Sequence, residues 1–341
     1  MLPYQNITIV NTSQPLQLKQ FLYFSNMPVI YQKTLKTNIL VITSLIFLTA
    51  CGPKKKEKSK ISFKSIEGIT FLEVSRLQKN GLSYNEYGFH LSPDWKLRFV
   101  SDDSAALYSP VKKQYLNFPL ALGTDSVFNT AHAFLKVKHM SKDSLVFELL
   151  EASGDSINLN KSRVTMRLFS EDYIKNKLRT DIATLQRPSR KDSIYVKGLV
   201  DKANADIKKA FAASQPVQLI SKSPQVTVVK KVTKPSYIDN NFSTDDDYLN
   251  PKYYITINKA YKDFDYIFSV TVDNKGVMHY NKPLIGFMGD PDFEKHYIKM
   301  STAIMESYLK LYLTTIPGQT LGMPHASTIS LNVKGFVAAK K

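Results

Sequence analysis

Cysteine is almost absent from this 341-residue chain: Cys51 is the only one. That excludes an internal disulfide, a CxxC redox pair and a zinc knuckle. Tryptophan is equally scarce, with Trp95 alone. The apolar run from Ile39 to Leu48, broken only by Thr43 and Ser44, is shorter than the about 20 residues that span a bilayer. Catalytic signatures are missing too. The histidines His90, His132, His139, His279, His296 and His325 form no HExxH or other metal spacing. No P-loop, G-x-S-x-G or G-x-G-x-x-G occurs, and no motif asks for a cofactor. Acidic residues are in deficit, 29 against 46 Lys and Arg.

What is present begins around the cysteine. Lys33 and Lys36 precede the Ile39–Leu48 run, and small residues follow it. A charged segment, a short apolar segment and a small-residue cleavage site form an export signal. Leu48-Thr49-Ala50-Cys51 resembles the lipobox of bacterial lipoproteins. The resemblance implies that residues 1–50 are removed and that the mature chain starts at an acylated Cys51. Residues 1–26 read as an overcalled start, because Met27 opens a signal of ordinary length; a long charged segment is the alternative. Residues 51–60 form a basic tether of Lys54, Lys55, Lys56, Lys58 and Lys60 against Glu57 alone. Its polarity and lack of periodicity predict disorder. Acyl chains are the main anchor, at about 0.8 kcal/mol per buried methylene. Each tether lysine adds about 1 kcal/mol near anionic lipid. Gly52 rather than Asp follows the cysteine, and no acidic cluster comes after it. By the sorting rule of lipoproteins this implies the outer membrane, lipid-anchored, on its periplasmic face.

Three of the 46 bases and none of the 29 acids precede Cys51, which leaves +14 on the mature chain. A basic cytosolic chain would point to nucleic acid. An exported one does not meet nucleic acid, so its acidic partners are lipid, lipopolysaccharide, peptidoglycan or another envelope protein.

Residues 61–180 read as a β-rich domain. Strand candidates are Tyr84–Leu91, Trp95–Ser101, Gln114–Phe118, Phe134–Val137, Ser144–Leu150 and Val164–Phe169. An Asp-Ser pair recurs at Asp103, Asp125, Asp143, Asp155 and Asp192, each before an apolar stretch. Asp and Ser bond nearby backbone N–H groups, so the pairs read as turns of a meander. The expected architecture is an antiparallel barrel or sandwich in the lipocalin style, with Trp95 in its core or at its end. Such a barrel gives one reading of function, a carrier of an apolar envelope ligand.

Residues 181–235 read as a mixed connecting segment. A short helix capped by Ser170-Glu171-Asp172 runs to Leu178 just before it. The stretch QRPSRKD at 186–192 reads as a loop, Val200–Ala213 as a helix and Val217–Val232 as strands around Pro224. Residues 236–252 read as a loop. Its Asp245-Asp246-Asp247 run lacks the alternate oxygen spacing, Gly turn and distal Glu of a calcium loop.

Residues 253–337 are the most regular. Tyr253–Asn258 and Phe264–Asp273 read as strands, with a hairpin turn at Val272–Val277 around Gly276. Asp290 and Pro291 open a helix whose expected buried stripe is Phe293, Tyr297, Met300, Ile304, Tyr308 and Leu311. His325 reads as an exposed turn residue. Ser327–Phe336 is a last strand, with Ile329, Leu331 and Val333 on one face and Ser330, Asn332 and Lys334 on the other.

A hairpin with V-D-x-x-G-x-V, a helix, and PGQTLGMPHASTISLNVKGF is similar to the C-terminal domain of the TonB family. The matching positions are Val272, Asp273, Gly276, Val277, Pro317, Gly322, Pro324 and the strand to Phe336. The chain departs from that family in lacking its transmembrane helix and Pro-rich linker, and Ile316 stands where Trp is common. The resemblance implies a ββαβ unit and, as a binding mode, a partner strand added to a sheet edge. Ser327, Ser330, Asn332 and Lys334 are the candidate edge residues. Fold class is thus α+β. The leading function is a non-catalytic protein-binding or scaffold role for an envelope lipoprotein. The apolar-ligand carrier is second, and an enzyme whose site is assembled from distant loops is third.

Overall fold

A computed structural model describes residues 61–110, 112–153, 156–233 and 244–337, without the side chains of 152–163. The protein is α+β, with a nearly closed, barrel-like antiparallel sheet (the barrel below) followed by a smaller mixed sheet. The barrel strands are β1 (Thr70–Gln78), β2 (Lys96–Ser101), β3 (Ser104–Ser109), β4 (Gln114–Pro119), β5 (Ala121–Leu122), β6 (Val127–Thr130), β7 (Ala133–Met140), β8 (Ser144–Ser153) and β9 (Ser156–Ser170). Their order is β4-β3-β2-β1-β9-β8-β7-β6-β5. Every strand except β4 and β5 therefore lies beside its neighbours in sequence, and β1 pairs β9 antiparallel to bring the ends of the meander together. The seam falls between β4 and β5, which the chain joins through Leu120 alone.

Alternation fills the interior. Leu97 and Phe99 on β2, Leu145 and Phe147 on β8, and Met166 and Leu168 on β9 are all buried. Phe63, ahead of β1, inserts among them. Its ring stacks on Phe99 at 4.0 Å and meets Phe128 edge-on at 5.1 Å. Asp102, in the β2–β3 turn, fastens this insert by accepting from the Phe63 N–H at 2.6 Å and the Ser62 hydroxyl at 2.9 Å. Trp95 packs against the same core. The Asp-Ser pairs at 103 and 143 lie at or beside the tight turns before β3 and β8, and Asp125 and Ser126 take positive φ before β6.

Two expected elements differ. Tyr84–Leu91 is a loop held by one Tyr84–His90 bridge rather than a strand. Asp192 belongs to a helix, α1 (Arg190–Ala205), instead of a hairpin turn. Ser189 and Asp192 form a capping box, so the helix starts inside QRPSRKD and ends before Ala213. The segment before Leu178 is a single π-turn, Tyr173–Lys177.

The second sheet runs β11-β12-β18-β13-β14. Its neighbour β10 (Gln218–Ser221) pairs instead with β15 (Leu313–Ile316). The members are β11 (Val226–Lys230), β12 (Lys252–Asn258), β13 (Phe264–Val272), β14 (Met278–Pro283) and β18 (Ser327–Phe336), with a small hairpin of β16 (Gln319–Thr320) and β17 (Met323–Pro324) before the last. Gly276 has φ +82° in the β13–β14 turn, and the Asp290 carboxylate caps α2 (Pro291–Ile304) through the N–H groups of Asp292 and Phe293. The expected faces of β18 hold: Ile329, Leu331 and Val333 are buried, whereas Ser330 and Asn332 are half-buried and Lys334 is exposed.

The helix stripe differs from the expected one. A π-turn, Met305–Leu309, follows α2 and inserts a residue into its winding. The buried positions become Tyr297, Ile304, Met305 and Leu309, while Phe293 and Leu311 are 47% and 61% exposed. Between the sheets lies a third cluster of Tyr84, Val196, Val200, Ala203, Phe211 and Ala326, which ties α1 to both. Among the described residues no helix is long and apolar enough to cross a membrane.

Candidate functional site

Cys51, the expected lipidation residue, lies outside the described residues. The expected edge residues all lie on β18. That strand pairs β12 on one side and β13 on the other, so it is the middle of the sheet and offers no free backbone. Ser327 is buried on the helix-facing side. Ser330, Asn332 and Lys334 share the opposite face, where Lys334 pairs with Asp265 at 2.9 Å across the strands. The glycine and proline turns that suggested a last strand did not reveal its partners. A C-terminal strand becomes central here because β12 runs parallel to it.

The outer strands of the sheet are β11 and β14, and β11 has a groove beside it. The β11–β12 register fixes which backbone groups are free. Asn258 N–H donates to Gln225 O and Lys231 N–H to Lys252 O, each at 2.8 Å, so the odd-numbered residues of β11 face β12. Val228 and Lys230 therefore turn their N–H and C=O groups the other way. On the opposite wall Lys222 N–H donates to Tyr312 O at 2.8 Å, so Gln218 and Ile220 face β15. Leu219 and Ser221 point their backbone groups toward β11. The two strands are joined by a turn in which Val226 N–H donates to Ser223 O at 3.1 Å.

The space between them has a volume of about 580 Å³ and is lined by the 214–219 segment, Val228, Lys230 and Tyr253. Tyr253 forms its floor. The phenol reaches under the groove to donate to Val217 O, and burial pushes its pKa up to about 12. It is therefore a neutral donor throughout the physiological range. Lys230 makes the rim basic. Chemically the groove offers free backbone donors and acceptors on both walls, an apolar floor and positive charge at its rim. Those are the requirements of an added strand.

His325, Asp273 and Asp247 serve structure. His325 is fully buried rather than exposed, because Phe211 stacks on its ring at 3.8 Å. Its Nδ1 donates to Ala326 O at 3.0 Å, which leaves Nε2 to accept from the Thr320 hydroxyl at 3.0 Å. Burial lowers its pKa. His279 and Asp273 pair at 2.9 Å, but the Asp273 carboxylate also accepts from the N–H groups of Lys275 and Val277 and so organises a turn. Asp247, in the acidic run, accepts from the Thr233 N–H and hydroxyl. Among the described residues no three His, Cys, Asp or Glu gather as a metal site.

No protein-family model matches the chain, and no curated protein matches it.

Proposed function

We propose that this protein is a lipid-anchored envelope protein that binds another envelope protein without catalysis, by taking an extended segment of it between β10 and β11. The observation that carries this reading is the pair of facing, outward-turned backbone edges: Val228 and Lys230 on one side, Leu219 and Ser221 on the other. An inserted strand would join β15 and β10 to the five-stranded sheet as one continuous sheet, satisfying backbone groups that face the groove. The export signal and Cys51 supply the anchor, on the periplasmic face of the outer membrane, and the basic tether gives the binding unit reach. The barrel suits a scaffold, since the rings of Phe63, Phe99, Phe128 and Phe147 occupy its interior.

Two variants test the parts separately. Cys51→Ser should abolish acyl labelling and release the chain from the membrane fraction. Full membrane retention of that variant, with no label on the wild type, removes the anchor from the reading. Lys230→Pro deletes an N–H that faces the groove and no bond to β12. Crosslinking from the groove in intact envelopes should yield a defined partner with the wild type and lose it with Lys230→Pro, at unchanged circular dichroism. Equal crosslinking by the two would exclude the groove as the binding surface.

A further inference from the structure

A second recess lies on the outer wall of the barrel, away from the strand groove. The segment 185–189 crosses that wall like a strap. Gln186 fixes it by donating from Nε2 to Glu73 O at 2.8 Å and to Pro93 O at 2.7 Å. Beneath the strap is a cleft of about 300 Å³, at the small end of the range for ligand sites. Three arginines line it: Arg76 from β1, Arg167 from β9 and Arg187 from the strap.

Their charges are unequally matched. Arg76 is held by Glu73, through Nε to Oε1 at 2.8 Å and Nη2 to Oε2 at 2.7 Å. Glu73 is fully buried by the bulge that breaks the β1–β9 register after it, and its second partner is the Trp95 N–H at 3.0 Å. Asp192, the one carboxylate lining the cleft, is spent as well. It accepts from Ser83 N–H at 2.7 Å, Ser189 N–H at 3.0 Å and the Ser189 hydroxyl at 2.6 Å. Burial works against its charge, and these bonds outweigh it to keep the pKa below the ordinary value. Arg167 and Arg187 have no carboxylate within ion-pair distance among the described residues. Arg187 feels Asp181 only beyond contact distance, so the cleft keeps two guanidinium groups without a direct carboxylate partner in a recess whose own acid is already satisfied.

Its remaining walls are mixed: Leu77, Leu91, Pro93, Phe169, Leu185 and Pro188 form the apolar part, and Ser75, Ser83, Ser189 and His90 the polar part. Guanidinium groups present parallel N–H donors that match the oxygens of a carboxylate or phosphate. Apolar walls beside them favour an anion that carries a hydrocarbon or aromatic arm.

We infer that the cleft under the 185–189 strap binds a small organic oxyanion, with Arg167 and Arg187 holding the charged head and the proline and leucine walls taking an apolar arm. The reading is independent of the strand groove. Its test uses the mature chain and three probes: phenyl phosphate, inorganic phosphate and phenol, titrated by calorimetry at low salt. Phenyl phosphate should bind saturably, more tightly than inorganic phosphate, with no binding by phenol. Arg167→Gln with Arg187→Gln should weaken phenyl phosphate at least tenfold. Both residues are exposed, so the fold should survive, as circular dichroism will check. Absence of saturable binding, equal affinity of the double variant, or inorganic phosphate binding as tightly as phenyl phosphate overturns the inference.

Discussion

Leu331 and Lys334 stand three positions apart on β18 and should respond very differently to truncation. Leu331 is fully buried, with Tyr253 of β12 and Phe268 of β13 directly opposite it. Leu331→Ala removes three carbons, worth about 2.4 kcal/mol at about 0.8 each. A cavity adds to this, since a strand paired on both sides cannot move in to close it. The expected loss is about 3 to 4 kcal/mol, within the usual range for such substitutions. Lys334 sits on the open face and its Asp265 partner is 52% exposed, so Lys334→Ala should cost at most about 1 kcal/mol. The assay is urea unfolding read by far-ultraviolet circular dichroism and hydrogen exchange of residues 252–336. Fluorescence of the single Trp95 follows the barrel separately. Equal losses at the two positions would refute the assignment of faces on which the whole second core rests.

Two further outcomes follow from the packing. Phe63→Ala should destabilise the barrel by about 3 to 5 kcal/mol in the Trp95 transition, since its ring is buried between Phe99 and Phe128. His325 is held neutral by burial, so its native pKa lies below the unfolded value of about 6.5. The unfolded chain then binds the proton first. Stability is complete above that pH and falls as the solution is acidified through and below it. His325→Phe should keep the stack on Phe211 and flatten the stability profile between about pH 7 and pH 5, read by thermal melts at stepped pH. An unchanged slope would mean that other groups set it.

Much of the second unit is legible in the sequence because its signals are local. Asp290-Pro291 caps α2, Gly276 relieves a positive φ, and β18 alternates without interruption. The barrel is legible as a class for the same reason, from short alternating stretches and Asp-Ser turns. What stayed hidden is tertiary. The bulge after Glu73 buries Glu73 and Val74 in succession, so β1 does not show clean alternation. The π-turn at Met305–Leu309 moves the helix stripe by one residue. The strand groove escaped notice because it depends on backbone parity in β10 and β11, and no side-chain pattern encodes that. His325 looked like a turn residue because Phe211, which covers it, is far away in sequence.

The meander that closes with β1 against β9, and the sheet that closes with β18 between β12 and β13, share an order of synthesis. In each unit the sealing strand is made last. As the chain emerges β1 keeps an open edge until β9 has followed, and β12 and β13 cannot meet until β18 slots between them. Folding must therefore wait on the end of each unit, and unpaired edges are exposed meanwhile. Cutting the chain before Ser327 would remove the keystone of the second sheet rather than a trailing end, and would leave two sticky edges on β12 and β13.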